Sequence, residues 1–357
     1  MVAPMKWTIT KFIFKQSNRA PVTRGSCAGS KIKRMSRQTH AIWYLLAAWI
    51  ICAANEAPAA DSAPQRLRIL YASTATSFAP IWLASDLGIY RKHGLDAEAV
   101  LLGGGPLVAS VLLSGSADVG IGAGDAPVRV ALQGGEMKIF GLQKHARILS
   151  IVSKPSIQDL SQIKVLGIQS LGSSTHNYWL WYARQRKLAE QQVQFVHTSS
   201  SAENFLALKS GRIDAGVFGP PFDVQAERDG FRLLVEGIKQ PQPFPATAYF
   251  ATAAFLSKRP EAARRFIDAM KEAVQVFRED KATAFKVIMR RLKITDTNVL
   301  ERAYEYERPF MRRDLSLQLD VIETALAEAK LAIGANAKRP DLSVDDVIDK
   351  TFVGVAR

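Results

Sequence analysis

Ser114-Gly115-Ser116-Ala117-Asp118-Val119-Gly120-Ile121 returns later in the chain as Ser210-Gly211-Arg212-Ile213-Asp214-Ala215-Gly216-Val217. The offset is 96 residues (210 − 114), and at the same offset Arg68-Ile69-Leu70 meets Lys164-Val165-Leu166. Ser-Gly at a helix C-terminus is common, because glycine takes the left-handed backbone there without penalty. Two matches at one offset go further and indicate a duplicated, lobe-sized unit. Outward from each copy the pattern alternates. Strands are expected over 67–72, 96–102, 119–123 and 138–142, with helices over 78–90, 106–113 and 126–132 between them. The second round has strands over 164–168, 194–197, 213–218 and 232–235, and helices over 175–186, 202–208 and 222–228. Alternation of this kind makes βαβ units and a mainly parallel sheet in each lobe. From residue 254 the chain reads as a helical tail. Pro260 opens a helix, where its missing N–H costs nothing, and Phe266, Ile267, Met270, Val274 and Phe277 recur at helical spacing. A further amphipathic helix is expected over 315–331.

Composition narrows the function. The 357 residues are 48% hydrophobic and 22% charged, ordinary for a globular protein with a real core. The net charge is +14, but residues 1–60 hold nine Lys/Arg and one acid, so the remainder carries 38 basic against 32 acidic residues, or +6. That excess is a solubility feature and not a nucleic-acid footprint. Both cysteines, Cys27 and Cys52, also lie in the first 60 residues. The body therefore has no disulfide, no thiolate nucleophile and no cysteine metal ligand.

The front end reads as an export signal. Residues 41–54, AIWYLLAAWIICAA, are apolar but shorter than the roughly 20 residues of a membrane span. Lys31, Lys33, Arg34 and Arg37 precede them and Ala57-Pro58-Ala59-Ala60 follows, so cleavage is expected after Ala59 or Ala60. Residues 1–34 read either as a long basic n-region or as sequence ahead of a start at Met35.

Open α/β sheets bind ligands beyond the C-terminal ends of their strands, which makes the strand-to-helix loops the candidate site. Thr74, Thr76, Ser77 and Phe78 follow the first strand, and Thr76 or Ser77 is expected to cap the next helix. Gly104, within Gly103-Gly104-Gly105, allows close backbone approach. Asp125 reads first as an N-cap, and second as a partner for a ligand amine or hydroxyl. Ser173, Ser174, Thr175 and His176 open the first helix of the second lobe, where unpaired N–H groups and the helix dipole attract anions. Pro221 and Phe222 stiffen a later loop and offer a ring, and Tyr249 lies on an extended segment over 243–249 expected at the cleft floor.

These loops and their neighbours carry a resemblance. Ala79-Pro80-Ile81-Trp82-Leu83-Ala84, Gly88-Ile89-Tyr90-x-x-His93-Gly94-Leu95-Asp96, both Ser-Gly repeats, and Phe255-Leu256-Ser257-x-x-Pro260-Glu261-Ala262 resemble periplasmic binding proteins of the nitrate, sulfonate and taurine importer group, which includes binders of thiamine pyrimidine precursors. The resemblance covers about 67–280 and implies the type II periplasmic binding fold, with hinge crossings near 150–155 and 245–252. The expected division is a leader over 1–60, a first lobe of 66–152 plus 250–357, and a second lobe over 153–249. The expected function is capture of a small anionic (sulfonate or carboxylate) or heterocyclic solute and its delivery to a membrane ABC permease, by a periplasmic monomer with no cofactor, no metal and no nucleic acid. Enzymes resembling this group depend on cysteine, which the body lacks. No H-E-x-x-H occurs, and His93, His145, His176 and His197 show no metal-ligand spacing. No catalytic residue is assigned. The rival readings are a cysteine-independent decarboxylase or hydrolase on the same fold, and a ligand-binding sensor domain.

Overall fold

The strands β1 (Gln65–Tyr71), β2 (Leu95–Leu101), β3 (Val119–Gly122) and β4 (Met137–Arg147) come first, and β5 (Ser150–Ser153), β6 (Val165–Ile168), β7 (Gln194–His197), β8 (Ala215–Phe218) and β9 (Arg232–Val235) follow, before β10 (Gln242–Thr252). The computed structural model describes residues 63–188 and 193–356. The leader, its cleavage site, Met35 and both cysteines lie outside them. The strands form two five-stranded sheets, ordered β2-β1-β3-β10-β4 and β7-β6-β8-β5-β9. Both are parallel except for one strand: β10 runs antiparallel to β3 and β4, and β5 antiparallel to β8 and β9. The two orders are the same once β1 is matched to β6, and each sheet's antiparallel strand is the one that has crossed from the other lobe. Val119–Gly122 and Ala215–Phe218 are buried along their whole length, as central strands covered on both faces must be.

The 96-residue repeat is carried into hydrogen bonds. The Arg68 amide donates to the Asp118 carboxylate at 2.8 Å, and at the matching positions the Lys164 amide donates to Asp214 at 3.1 Å. Gly115 and Gly211 both take positive φ, 73° and 75°, and their amides donate back to the carbonyls of Leu112 and Leu208. One residue of register separates the copies: the Asp118 amide donates to Arg68 O, whereas that of Asp214 donates to Val165 O.

The chain crosses from the first sheet to the second between Arg147 and Ser150, and returns between Val235 and Gln242. Both crossings lie earlier than the expected 150–155 and 245–252. β4 continues five residues past its expected end because Arg147 and Ala146 still pair with Gln242 and Pro243 of β10. The helix expected over 78–90 is broken into Ala79–Asp86 and Ile89–Lys92, with Gly88 at φ 69° between them.

In the tail, the helix Pro260–Glu279 buries Phe266, Ile267, Met270, Val274 and Phe277 against the first sheet, where Phe266 meets Phe140 and Tyr249. The tail also reaches the second lobe through the helix Thr297–Glu307. Arg302 pairs with Glu227 at 2.7 Å, and Asp296 pairs with Arg228. Among the described residues no helix is long and apolar enough to cross a membrane.

Candidate functional site

The C-terminal ends of the strands of both sheets face one another around a cavity of about 690 Å³, measured out to its mouth. Its wall follows the repeat. Ser73 and Gln169, Phe78 and Ser174, Gly105 and Ser201, and Ala123 and Gly219 all line it, and each pair is 96 residues apart. The loops after β1 and β6, and after β3 and β8, thus supply opposite walls. The floor comes from Lys144 and Arg147 on β4, from Ile148 and Leu149 of the first crossing, and from Ala246 on β10, with Glu307 reaching in from the tail.

The walls touch. Ser73 Oγ and Ser201 Oγ share a hydrogen bond at 3.2 Å, Gln169 Nε2 donates to Ala72 O at 3.3 Å, and the Thr76 amide donates to Pro220 O at 2.9 Å. Asn177 Nδ2 donates to Asp125 Oδ2 at 2.5 Å, and Arg129 donates to Asn177 Oδ1 at 3.0 Å. Gly104, at φ 92°, sits where a Cβ would lie 2.7 Å from Ser170 Oγ and 3.4 Å from Ser173 Cβ. The glycine triplet therefore permits close approach of one lobe to the other. The two lobes are in direct contact around the cavity.

The two cations of the floor are already paired. Lys144 Nζ lies 2.6 Å from Glu307, both almost fully buried. Arg147 takes both oxygens of Glu328, at 2.8 and 3.2 Å, and donates to Gln242 Oε1. Its guanidinium lies against the Phe244 and Tyr178 rings, at 4.0 and 5.2 Å, so its flat surface is covered as well. Burial pushes the Asp125 carboxyl above its ordinary value, while Arg129 and the Asn177 hydrogen bond oppose the shift.

Of the residues expected from sequence, Ser77, Phe78, Asp125, Ser174 and Thr175 line this cavity. The others do not. Thr74 and Thr76 have buried hydroxyls in the same loop. Ser173 caps its helix by accepting from the His176 amide. His176 Nδ1 accepts from the Gly172 amide at 3.1 Å, and its ring meets Phe195 edge-on. Pro221 precedes the helix Phe222–Arg228, and Phe222 packs on Phe205. Tyr249 is fully buried in the first sheet, its hydroxyl donating to Gln143 Oε1 at 2.6 Å.

Two expected caps are corrected. Neither Thr76 nor Ser77 caps a helix: the flanking N-cap positions are Ala75 and Phe78, without a side-chain bond, because a short 3-10 turn intervenes. Asp125 is the first residue inside its helix and not the cap, so its carboxylate is turned to Asn177 of the other lobe. Sequence reasoning took the loop holding Ser73 as part of the site without singling that residue out, and missed Gln169 and Ser201, although the 96-residue offset relates each of them to another lining position. It also missed Lys144, Arg147 and Glu307, which no local pattern marks.

The stretch Gly88–Asp96, one of those that carry the resemblance, is structural. His93 Nε2 and Lys92 Nζ both reach Glu272, and Tyr90 OH reaches Met270 Sδ on the long tail helix. Among the described residues no group of three or more His, Cys, Asp or Glu could hold a metal ion.

A family model described as NMT1/THI5 like matches residues 75–284. A protein of Brucella abortus (strain 2308), named only as a binding protein, is 24% identical over 248 residues, covering 67% of this chain and 75% of that one. The periplasmic aliphatic sulphonate binding protein SsuA from Escherichia coli superposes with a TM-score of 0.62 at 19% identity, covering 81% of this chain and 99% of its own. The periplasmic nitrate-binding protein NrtA from Synechocystis PCC 6803 superposes with a TM-score of 0.67 at 15% identity, covering 81% and 87%. These similarities establish the two-lobed periplasmic binding protein fold.

Proposed function

Because the chain belongs to the NMT1/THI5-like family, whose fold it shares with periplasmic solute-binding proteins, we propose that it is the solute-binding component of an ABC importer. It captures a small molecule between its lobes and hands it to a membrane permease. The carrying observation is the set of repeat-related positions, Ser73 with Gln169 and Gly105 with Ser201 among them, that face each other across one cavity. A ligand touching both walls bonds only to the closed form, and so shifts the lobes toward closure by its differential affinity. The hinges are the crossings at 147–150 and 235–242. The first lobe takes the β1–β4 and β10 sheet with the tail, and the second takes β5–β9. The protein works as a periplasmic monomer, exported on the leader that ends near Ala59 or Ala60. It performs no chemistry on its ligand.

The test is a thermal-shift screen against sulfonates, carboxylates, nitrate, amines, amino acids and heterocycles. A ligand of the native state at a hundredfold excess over its Kd adds about 2.7 kcal/mol of stability. A hit recovered chemically unchanged supports the reading. A hit recovered as a different compound makes the protein an enzyme, and no hit at all removes the small-molecule function.

A further inference from the structure

We propose that the ligand of this cavity carries N–H donors and no net negative charge, being an amine or a neutral amide-like or heterocyclic solute and not an inorganic or sulfonate anion. The inference rests on the reading of the cavity as a solute site, and sharpens it. It starts from the four ionisable groups in the wall: Lys144, Arg147, Asp125 and Glu307. Both cations are committed. The Lys144 ammonium lies 2.6 Å from Glu307, and Arg147 is held bidentately by Glu328, by Gln242 and between two rings. An anionic ligand buried here would have to break one of these pairs or remain uncompensated, and either is costly in a site removed from water.

Asp125 is the wall group without such a partner. It is 4% exposed, and its one hydrogen bond to another side chain among the described residues comes from Asn177. Arg129, on its own helix, donates to Asn177 and does not line the cavity; with Asp125 and Asn177 it lines a neighbouring groove that also holds Leu180, Trp181 and Arg184, and its charge, like that of Arg147, favours the ionised carboxylate. A carboxylate has room for more donors than one amide supplies. The surface it presents to the cavity therefore asks for N–H groups and repels an anion. The remaining polar wall suits the same class. Ser77 and Ser174 offer hydroxyls, which both donate and accept, and Gln169 an amide, while Ala72, Ala75, Phe78, Ile148 and Leu149 give the ligand body an apolar bed. Two hydroxyls at the start of the first helix of the second lobe are engaged within their own loop. Ser173 Oγ donates to Ser170 O at 2.6 Å, and Thr175 Oγ1 accepts from the Gln169 amide at 3.0 Å.

The experiment titrates the purified protein with shape-matched probes: 2-phenylethylamine and 2-phenylacetamide against 2-phenylethanesulfonate, with ethylamine against ethanesulfonate and nitrate. Binding is read by calorimetry and by melting temperature, on the parent and on Asp125→Asn, whose fold is checked by its own melt. The expected result is binding of an amine or amide, weakened at least about tenfold by Asp125→Asn, with the sulfonates and nitrate silent. Tighter binding of a sulfonate or nitrate than of its matched amine, or tightening of an anion by Asp125→Asn, overturns the inference and leaves the solute-binding function standing. Silence of all these probes, together with a broad screen that has no hit, overturns both.

Discussion

Asp223 shows what burial does to a single side chain at this hinge. Its carboxyl accepts from Ser150 Oγ at 2.8 Å and from the Val224 amide, and Ser150 Oγ in turn accepts from the Gly237 amide, so one hydroxyl ties both crossings together. Burial, with the nearby Glu307 charge, raises the Asp223 pKa from 3.8 to about 7 despite those bonds. The folded protein thus holds this proton more tightly than the unfolded chain does. The contribution to stability is complete below about pH 4 and is lost as the pH climbs through about 7. The Asp223→Asn variant should therefore gain melting temperature over the parent between about pH 5 and pH 8. Melts across that range giving a constant difference would refute the assignment. At Gly104 the constraint is steric. Gly104→Ala puts a Cβ into Ser170 Oγ at φ 92°, so it should disfavour closure. Small-angle scattering should show a larger radius of gyration than the parent's, and a ligand should bind more weakly. An unchanged radius and affinity would mean that the lobes close without this contact. Neither effect is visible in the bare residue. Gly104 reads from sequence as flexible backbone, and which surface it must clear is a property of the other lobe.

The elements were the most legible scale. The parallel strands of both rounds were expected close to where they lie, because buried parallel strands read as short apolar runs and their helices as periodic ones, whereas β5 was read as a hinge crossing and not as a strand. The repeat was legible too, and its aspartates make a prediction. Asp118 and Asp214 each stand just before or near the start of a central strand and bind the backbone of the neighbouring strand, and each also meets a cation, Arg259 and Lys154 respectively. Alanine at either should cost about 1–3 kcal/mol by leaving amides unpaired, and denaturant titration should find the two costs similar. A near-zero cost at either site would mean that water replaces the carboxylate. In the tail, Phe266→Ala should cost about 3–5 kcal/mol, as a fully buried ring between Phe140 and Tyr249; a loss below 1 kcal/mol would deny it a place in the core. What escaped were breaks inside elements, such as the Gly88 interruption and the extension of β4, which depend on packing neighbours and not on local pattern.

At the scale of the whole molecule, function depends on how two copies of one unit close on each other. If the cavity is where a ligand bridges them, a bound ligand should protect amides of both 72–78 and 169–175 from hydrogen exchange together. Protection confined to one lobe would break the bridging picture. The amino-acid sequence by itself determined the two-lobed α/β class, the 96-residue repeat, the helical tail and the loops that face the cleft, because all of these rest on interactions between residues near one another in the chain. Only the tertiary structure decided what those loops meet. Arg147 and Glu328 lie 181 residues apart, and Asp125 and Asn177 lie 52 apart on opposite lobes. No local pattern records which distant partner neutralises a buried charge, and that pairing sets the electrostatics of the site.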